Sequence, residues 1–282
     1  MKHYTVSIFL VFLLYFYAYN QDKPKKDNSM KLGDATQITI GVNDVHLSFR
    51  FYEKLGFKKI AGDTLPYPWM QISDGSTLIL LSQDGMKYMG LTYFSKDMNK
   101  KVAELKKIGI MITRRTSNDE KVYTDIFLSP DSFGVGLIHY DPSNMYQPKG
   151  MTLLNFPKDD FAKPEKYPNP KCGIFGEFAQ PVKDLKASIT FWQKLGFDTL
   201  SVNKEPYPWA IMSDGMNILG LHQTKDFTYP AITYFAPDMG KRIKKLKEEG
   251  IDSIKVFEGT GGNENNVVVT TPEGQKIFLF SL

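Results

Sequence analysis

The chain contains two copies of one sequence pattern, and this duplication constrains its fold more than any other feature. Leu55-Gly56-Phe57 recurs as Leu195-Gly196-Phe197. In the same way, Pro66-Tyr67-Pro68-Trp69 recurs as Pro206-Tyr207-Pro208-Trp209, and Ser73-Asp74-Gly75 recurs as Ser213-Asp214-Gly215. Later matches, such as Thr92-Tyr93-Phe94 with Thr233-Tyr234-Phe235, keep the same order. A repeat this long predicts two duplicated domains rather than a solenoid of short units.

The matches divide the 282 residues into segments, and this length suits about two domains. We predict a first domain at 37–141, a linker at 142–172 and a second domain at 173–282. The linker is rich in proline and polar residues, and 151–156 within it is a candidate short strand.

The N-terminus has the pattern of a secretion signal. Lys2 and His3 precede an apolar run of 14 residues, from Val6 to Tyr19. This run is short for a membrane span and suits a signal-peptide core. We predict a signal peptide at 1–20 and a polar leader at 21–36, so the protein is expected to be periplasmic or extracellular. The alternative is an uncleaved N-terminal membrane anchor.

Composition excludes several classes of function. The net charge is +4, and the lysines are spread over predicted helices, which is typical of solvated faces and not of a nucleic-acid-binding stripe. The single cysteine, Cys172, allows no disulfide within the chain. We therefore expect no nucleic-acid partner, and no membrane contact beyond the signal segment.

Each copy alternates strands and helices in the order β-α-β-β-β, twice. Asp44 is typical of a helix N-cap, and Val45, Phe49 and Tyr52 behind it share one helical face. Gly56 follows where a glycine would end that helix. The Asp-Gly dipeptides at Asp74 and Asp214 predict tight hairpins.

These motifs resemble the vicinal-oxygen-chelate superfamily, which includes glyoxalases, bleomycin-resistance proteins and dioxygenases. The resemblance rests on Val42-Asn43-Asp44, Phe51-Tyr52 and Leu55-Gly56-Phe57, and on their repeats Val182-Lys183-Asp184, Phe191-Trp192 and Leu195-Gly196-Phe197. Ser129-Pro130-Asp131 and Thr271-Pro272-Glu273-Gly274 resemble the family's turn before its last strand. The resemblance to this superfamily implies an α+β fold of two tandem domains, each with two βαβββ units whose mixed sheet curves into a cup. In the family, the cup holds a metal or a ligand.

The resemblance also implies four metal-ligand positions per copy, and most of them carry unsuitable residues. In the two copies these positions are Gln37 and Glu177, Ile79 and Leu219, Gly90 and Ala231, and Gly136 and Phe278. Only the first pair offers a plausible ligand, whereas catalytic zinc needs about three protein ligands. We therefore expect no metal cofactor; the alternative is a divalent zinc, nickel or iron ion.

Strand alternation predicts which residues line the cups. The expected sets are Gln37, Thr39, Trp69, Gln71, Leu81, Gln83, Thr92 and Phe94, and Glu177, Ala179, Trp209, Ile211, Leu221, Gln223, Thr233 and Phe235. Such a mixture of apolar, aromatic and amide groups is typical of small-molecule sites. The ligand-binding candidates are Gln37, Trp69, Gln71, Gln83, Glu177, Trp209 and Gln223. We expect His222 to face the helices.

Three of these candidates have two interpretations each. Trp69 and Trp209 either pack between strand and helix or stack on a planar or cationic ligand. Glu177 is either a solvent-exposed strand end or, if buried near Trp209, a cation-binding group or a base. Glu177 is therefore the only candidate catalytic residue, and whether the chain is an enzyme stays open at this point.

The main functional hypothesis is an exported protein that binds a small apolar or aromatic molecule in a metal-free cup. The alternative is a divalent-metal-dependent lyase, isomerase or dioxygenase of the glyoxalase type. A third class is an interaction module whose cups are filled by side chains. Because the two domains are expected to pair within one chain, we predict a monomer whose partner is a small molecule.

Overall fold

The computed structural model describes residues 30–116, 123–258 and 262–282. The predicted signal peptide and most of the predicted polar leader lie outside these ranges. No helix in the described ranges is both long and apolar enough to cross a membrane.

The two halves of the chain contain the same elements in the same order. The first has strands β1 (Ala35–Gly41), β2 (Lys58–Asp63), β3 (Trp69–Ser73), β4 (Leu78–Ser82), β5 (Met89–Ser95), β6 (Thr113–Thr116), β7 (Tyr123–Leu128) and β8 (Gly134–His139), with helices α1 (Val45–Lys54) and α2 (Met98–Lys107). The second has strands β9 (Ile174–Pro181), β10 (Asp198–Asn203), β11 (Trp209–Ser213), β12 (Ile218–His222), β13 (Ala231–Ala236), β14 (Ile254–Val256), β15 (Val267–Thr270) and β16 (Lys276–Ser281), with helices α3 (Leu185–Lys194) and α4 (Met239–Glu248).

Each half forms one mixed sheet of eight strands. The order is β2-β3-β4-β1-β5-β8-β7-β6 in the first and β10-β11-β12-β9-β13-β16-β15-β14 in the second. Strand β1 pairs in parallel with β4 and antiparallel with β5, so the two βαβββ units of each domain join at their first strands. The predicted α+β architecture, with two βαβββ units per copy, is confirmed.

Local sequence signals set the bounds of the first helix in each domain. The Asp44 carboxylate accepts hydrogen bonds from the backbone N–H groups of His46 and Leu47, both at 2.9 Å. These are two of the amides that a helix start leaves without partners. Gly56 follows the helix at φ +92°, a left-handed conformation that glycine adopts without strain. Asp184 and Gly196 repeat the arrangement in the second domain.

Helices cover one face of each sheet, and the hydrophobic core lies between the helices and the sheet. On this face Tyr52 of α1 and its counterpart Trp192 of α3 are both fully buried. Tyr52 packs edge-on against Phe57 with ring centroids 5.3 Å apart, and Trp192 packs against Phe197 at 4.9 Å. Burial of each such ring contributes about 1.5–3 kcal/mol.

Residues 142–172 form an ordered connection between the sheets. They contain three short 3₁₀ turns, Pro142–Asn144, Lys158–Asp160 and Pro164–Lys166. In place of the candidate strand at 151–156 there is a single bridge between Thr152 and Phe175. Asn169 donates to the Leu55 carbonyl at 3.0 Å and accepts from the Cys172 N–H at 2.8 Å. This amide therefore joins the end of α1 to the start of the second domain.

The two domains contact each other through pairs of equivalent residues. The Tyr93 hydroxyl donates to Asp214 at 2.6 Å, and its counterpart Tyr234 donates to Asp74 at 2.5 Å. In both cases a tyrosine of one sheet meets the Asp-Gly hairpin of the other. The turns before the last strands also make equivalent contacts with the helices of the other domain. Ser48 of α1 donates a hydrogen bond to Glu273, and Ser188 of α3 donates one to Asp131.

Candidate functional site

The strand register defines which side chains lie on the face opposite the helices. Paired residues on neighbouring strands point to the same face of a sheet. Ile79 pairs with both Ile38 and Ile72, and all three are buried on the helix side. The alternate residues lie on the opposite face, which we call the first cup in the first domain and the second cup in the second. The first-cup set is Gln37, Thr39, Trp69, Gln71, Leu80, Ser82, Thr92 and Gly136.

Two hydrogen-bonded pairs form the polar part of the first cup. Gln71 Nε2 donates to Gln37 Oε1 at 2.8 Å, and the hydroxyls of Thr39 and Thr92 are 2.7 Å apart. Among the described residues, Gln37 Nε2 and Gln71 Oε1 have no hydrogen-bond partner. The cup thus offers one amide donor and one amide acceptor side by side. Gln71 is half-buried, so the pair is accessible at the cup surface.

The two strand-start tryptophans are fixed by the proline loops before them. Trp69 Nε1 donates to the Leu65 carbonyl at 3.2 Å, and Trp209 Nε1 donates to the Glu205 carbonyl at 2.9 Å. The indole N–H of each tryptophan is therefore satisfied locally, and the Trp209 ring also lies nearly parallel to the His222 ring. Trp69 is half-buried, whereas Trp209 is only 4% exposed.

A carboxyl–imidazole pair lies at the centre of the second cup. Glu177 Oε1 is 3.0 Å from His222 Nε2 and 3.4 Å from the Thr233 hydroxyl. His222 Nδ1 is 3.3 Å from the Tyr207 hydroxyl. Glu177 is 4% exposed, so its interpretation as a solvent-exposed strand end was wrong. Burial, and to a lesser extent the negative charge of Glu177, raises the pKa of Tyr207 well above its usual value, so the phenol stays a hydrogen-bond donor.

Gly220 makes room for this pair. It lies on the cup face between Leu219 and Leu221, which point to the helices. A Cβ atom at Gly220 would lie 2.0 Å from Glu177 Oε2 and 2.7 Å from His222 Nε2. No side chain larger than a hydrogen atom can therefore occupy position 220 while the pair is in place.

The prediction that His222 faces the helices was wrong, and so were the cup positions given to Leu81 and Leu221. The register puts Leu81 opposite Ile40 and Met70, on the helix side, and Leu221 occupies the equivalent position. A signal for this was present in the sequence. In Ile218-Leu219-Gly220-Leu221-His222 the two leucines alternate with residues of another type, which is the pattern of a strand with one apolar face. For the same reason Ile79 and Leu219 are not cup positions.

Gln83 and Gln223 contact the starts of the helices, and their predicted ligand-binding role stays a prediction. The side-chain oxygen of Gln83 accepts from the Val45 N–H at 3.0 Å, and that of Gln223 accepts from the Leu185 N–H at 2.9 Å. Val45 and Leu185 are the first residues of α1 and α3. Of the seven ligand-binding candidates, the structure thus brings Gln37, Trp69 and Gln71 to the first cup, and Glu177 and Trp209 to the second.

The residues of the second cup do not fit a catalytic metal. Zinc enzymes use about three protein ligands, and non-haem iron sites use two histidines and one carboxylate. Within the described ranges, no group of three or more His, Cys, Asp or Glu residues is arranged to hold an ion. Glu177 and His222 supply two donors, while the adjacent strands present Thr233 and Phe278.

Comparison with solved structures identifies the fold. The chain is similar to homoprotocatechuate 2,3-dioxygenase from Arthrobacter globiformis, with 14% identity, a TM-score of 0.57, and coverage of 90% of this chain and 81% of that one. It is similar to the 2,3-dioxygenase LapB from Pseudomonas sp. KL28, with 10% identity, a TM-score of 0.58, and coverage of 90% and 94%. No protein-family model and no curated protein sequence matches the chain. The chain has the vicinal-oxygen-chelate fold in its tandem, two-domain form.

Proposed function

We propose that the protein binds a small, uncharged aromatic molecule bearing a hydroxyl group in the first cup. The observation that carries this proposal is the Gln37–Gln71 amide pair, which keeps one donor and one acceptor free of protein partners in the described ranges. A hydroxyl group can use both at once, because it is a donor and an acceptor. The eight side chains of the first-cup set contain no ionisable group, which favours an uncharged ligand.

The aromatic part of the ligand is inferred from the apolar members of the set. Trp69 is half-buried, with its indole N–H already bonded to Leu65, so its ring face is the part left for contact. Leu80 and Gly136 are half-buried on the same face. An apolar wall with a few fixed polar groups is the usual composition of a small-molecule site.

Catechol is the probe that the comparisons suggest, since one similar solved structure is named catechol 2,3-dioxygenase. We expect calorimetry under argon to give one catechol bound per chain. The substitution Gln71→Leu removes the side-chain amide, so it should weaken catechol binding about tenfold. The ligand hydroxyl would lose a hydrogen bond in a partly desolvated site.

Gln147→Leu is the matched control, because Gln147 is an exposed linker residue changed in the same way. It should leave the affinity for catechol unchanged. Equal affinity of the wild-type protein and Gln71→Leu would contradict the proposal.

A second candidate function, a metal-dependent dioxygenase, is favoured by the names of the similar structures. The names of the similar structures support a dioxygenase better than they support a metal-free binding protein. The residues that the structure describes argue against a dioxygenase, because among them Glu177 and His222 are the two donors that come together. No step through a metal is therefore derived for this site.

Calorimetric titration of chelator-treated protein with Fe²⁺ under argon distinguishes the two functions. We expect only weak surface association, because two donors hold an ion poorly against water. Stoichiometric binding tighter than about 1 μM, or about −8 kcal/mol, would favour the dioxygenase and make ring-cleavage assays the next measurement.

We further propose that the protein acts after export and as a monomer. The support for export is the apolar run from Val6 to Tyr19 alone. The support for a monomer is the set of reciprocal contacts between the domains, such as Tyr93–Asp214 and Tyr234–Asp74. N-terminal sequencing of the secreted protein and sedimentation equilibrium test the two statements separately.

A further inference from the structure

The second cup holds a buried carboxyl oxygen that lacks a hydrogen-bond donor. Glu177 Oε1 contacts His222 and Thr233, but Glu177 Oε2 is buried and has no hydrogen-bond partner. Leaving a buried polar atom in this state destabilises the folded protein, and more so if the atom is charged. Such an atom calls for a partner that the surrounding side chains do not supply, such as a bound water molecule or ion.

Protonation of His222 does not supply Glu177 Oε2 with a hydrogen-bond donor. One ring nitrogen of His222 faces Glu177 Oε1 and the other faces the Tyr207 hydroxyl. Both nitrogens therefore face groups other than Glu177 Oε2, whichever of them carries a proton. Glu177 Oε2 stays without a donor in each case, and among the described residues Glu177 has no ion pair with lysine or arginine.

Aromatic rings surround the pair. Trp209 lies nearly parallel to the His222 ring, at 19° with centroids 6.4 Å apart. Phe227 meets the same ring edge-on at 5.6 Å, and Phe278 packs against Phe227 at 5.3 Å. Ring faces attract cations, most strongly where water is excluded. A negative oxygen inside an aromatic box is the combination that recognises an organic cation.

We propose that the second cup is a separate binding site for a small organic ammonium ion. The positive head would lie at Glu177 Oε2, against the faces of Trp209 and Phe227. The inference does not depend on the proposed function of the first cup. The first domain has Gln37, Leu80 and Ser82 at the positions of Glu177, Gly220 and His222, so it has neither the charge nor the space.

Phe227 controls access to this site. It is buried, but it stands on the connection between β12 and β13, where Lys225, Asp226, Thr228 and Tyr229 are exposed. Because the residues on both sides of Phe227 are exposed, movement of this turn would lose few contacts other than those of the Phe227 ring itself. Outward rotation of Phe227 opens the box without disturbing the strands that carry Glu177 and His222.

The test is calorimetry of the whole protein with benzylammonium chloride, and with ethylbenzene as the uncharged analogue, which lacks the hydroxyl group that the first cup is proposed to bind. We expect the cation to bind once per chain and about tenfold more tightly than ethylbenzene. Glu177→Gln keeps the shape and removes the charge, so it should weaken cation binding about tenfold. Asp226→Asn is the matched control, because it removes an exposed carboxylate next to Phe227, and it should change the affinity less than about twofold.

A wild-type measurement keeps the proposal testable if Glu177→Gln does not fold. Benzylammonium should shift the indole N–H resonance of Trp209 in NMR spectra and leave that of Trp69 in place. Equal binding of the cation and ethylbenzene would overturn the proposal, as would equal losses in Glu177→Gln and Asp226→Asn. Shifts at Trp69 instead of Trp209 would also overturn it. None of these outcomes bears on catechol binding in the first cup.

Discussion

At position 220 the second domain has glycine where the first domain has Leu80, and this difference decides which cup can hold a carboxyl group. The Glu177 side chain lies over Gly220, with Oε2 only 2.0 Å from where a Cβ atom would be. The first cup keeps the neutral Gln37 beside a leucine. Three substitutions at equivalent positions, Gln37 to Glu177, Leu80 to Gly220 and Ser82 to His222, therefore separate an uncharged cup from a charged one.

Gly220→Ala should displace Glu177 and His222 and lower the free energy of unfolding by about 1–3 kcal/mol, because the added methyl group overlaps buried atoms that cannot move freely. Gly134→Ala is the control, since its Cβ atom would lie 3.9 Å from a methyl group of Leu128, an ordinary van der Waals distance. It should change stability by less than about 0.5 kcal/mol. Urea unfolding of both variants measures these changes. Equal losses of stability would mean that the effect comes from replacing any glycine in a strand, and not from overlap with Glu177 and His222.

The sequence was sufficient to predict some site residues and insufficient for others. Gln37, Gln71 and Glu177 follow from counting along strands whose pattern is clear. The facing of His222 was predicted wrongly although Leu219 and Leu221 alternate with it, and its pairing with Pro181 in a distant strand shows that it lies on the cup face. The contact between His222 and Glu177 spans 45 residues, and no local pattern specifies it.

Among the elements, α1 and α3 show how much of the fold is encoded locally. Their caps and terminal glycines could be predicted from residue type, because each acts within about one helical turn. The register of β4 could not, since it is set by parallel pairing of Ile79 with Ile38 across the sheet. An error of one residue in that register exchanges the two faces of the strand.

The glutamines at the starts of α1 and α3 should stabilise these helices. Gln223→Ala leaves the Leu185 N–H without its partner, so we expect a loss of about 1 kcal/mol and faster hydrogen exchange at that amide. Gln83→Ala should do the same at Val45. Gln193→Ala, on the exposed side of α3, is the control and should stay within about 0.5 kcal/mol of wild type.

For the whole molecule, the phenols between the domains make stability depend on alkaline pH. Burial, and then the charges of Asp214 and Asp74, raises the pKa values of Tyr93 and Tyr234 well above 10. A raised pKa means that the folded state favours the protonated phenol. Its contribution is complete below pH 10 and is lost as the pH rises further.

We therefore expect the free energy of unfolding to fall above pH 10, by up to about 1.4 kcal/mol per pH unit for each phenol. Tyr93→Phe should reduce this slope and also lower stability at pH 7, since a hydrogen bond to a carboxylate is lost. Tyr229→Phe removes a phenol on a residue that is 66% exposed and should leave the slope unchanged. Urea titrations at a series of pH values test this, and an unchanged slope in Tyr93→Phe would contradict the assignment.

The reciprocal tyrosine–aspartate contacts have a consequence for how such a chain arises. Tyr93–Asp214 and Tyr234–Asp74 are one contact made twice, as across the two-fold axis of an isologous homodimer. Gene duplication and fusion of such a dimer would keep both contacts while freeing the halves from sequence identity. A symmetric dimer must change both of its sites with every mutation. A fused one can make one site neutral and the other charged, as the cups at Gln37 and Glu177 are here.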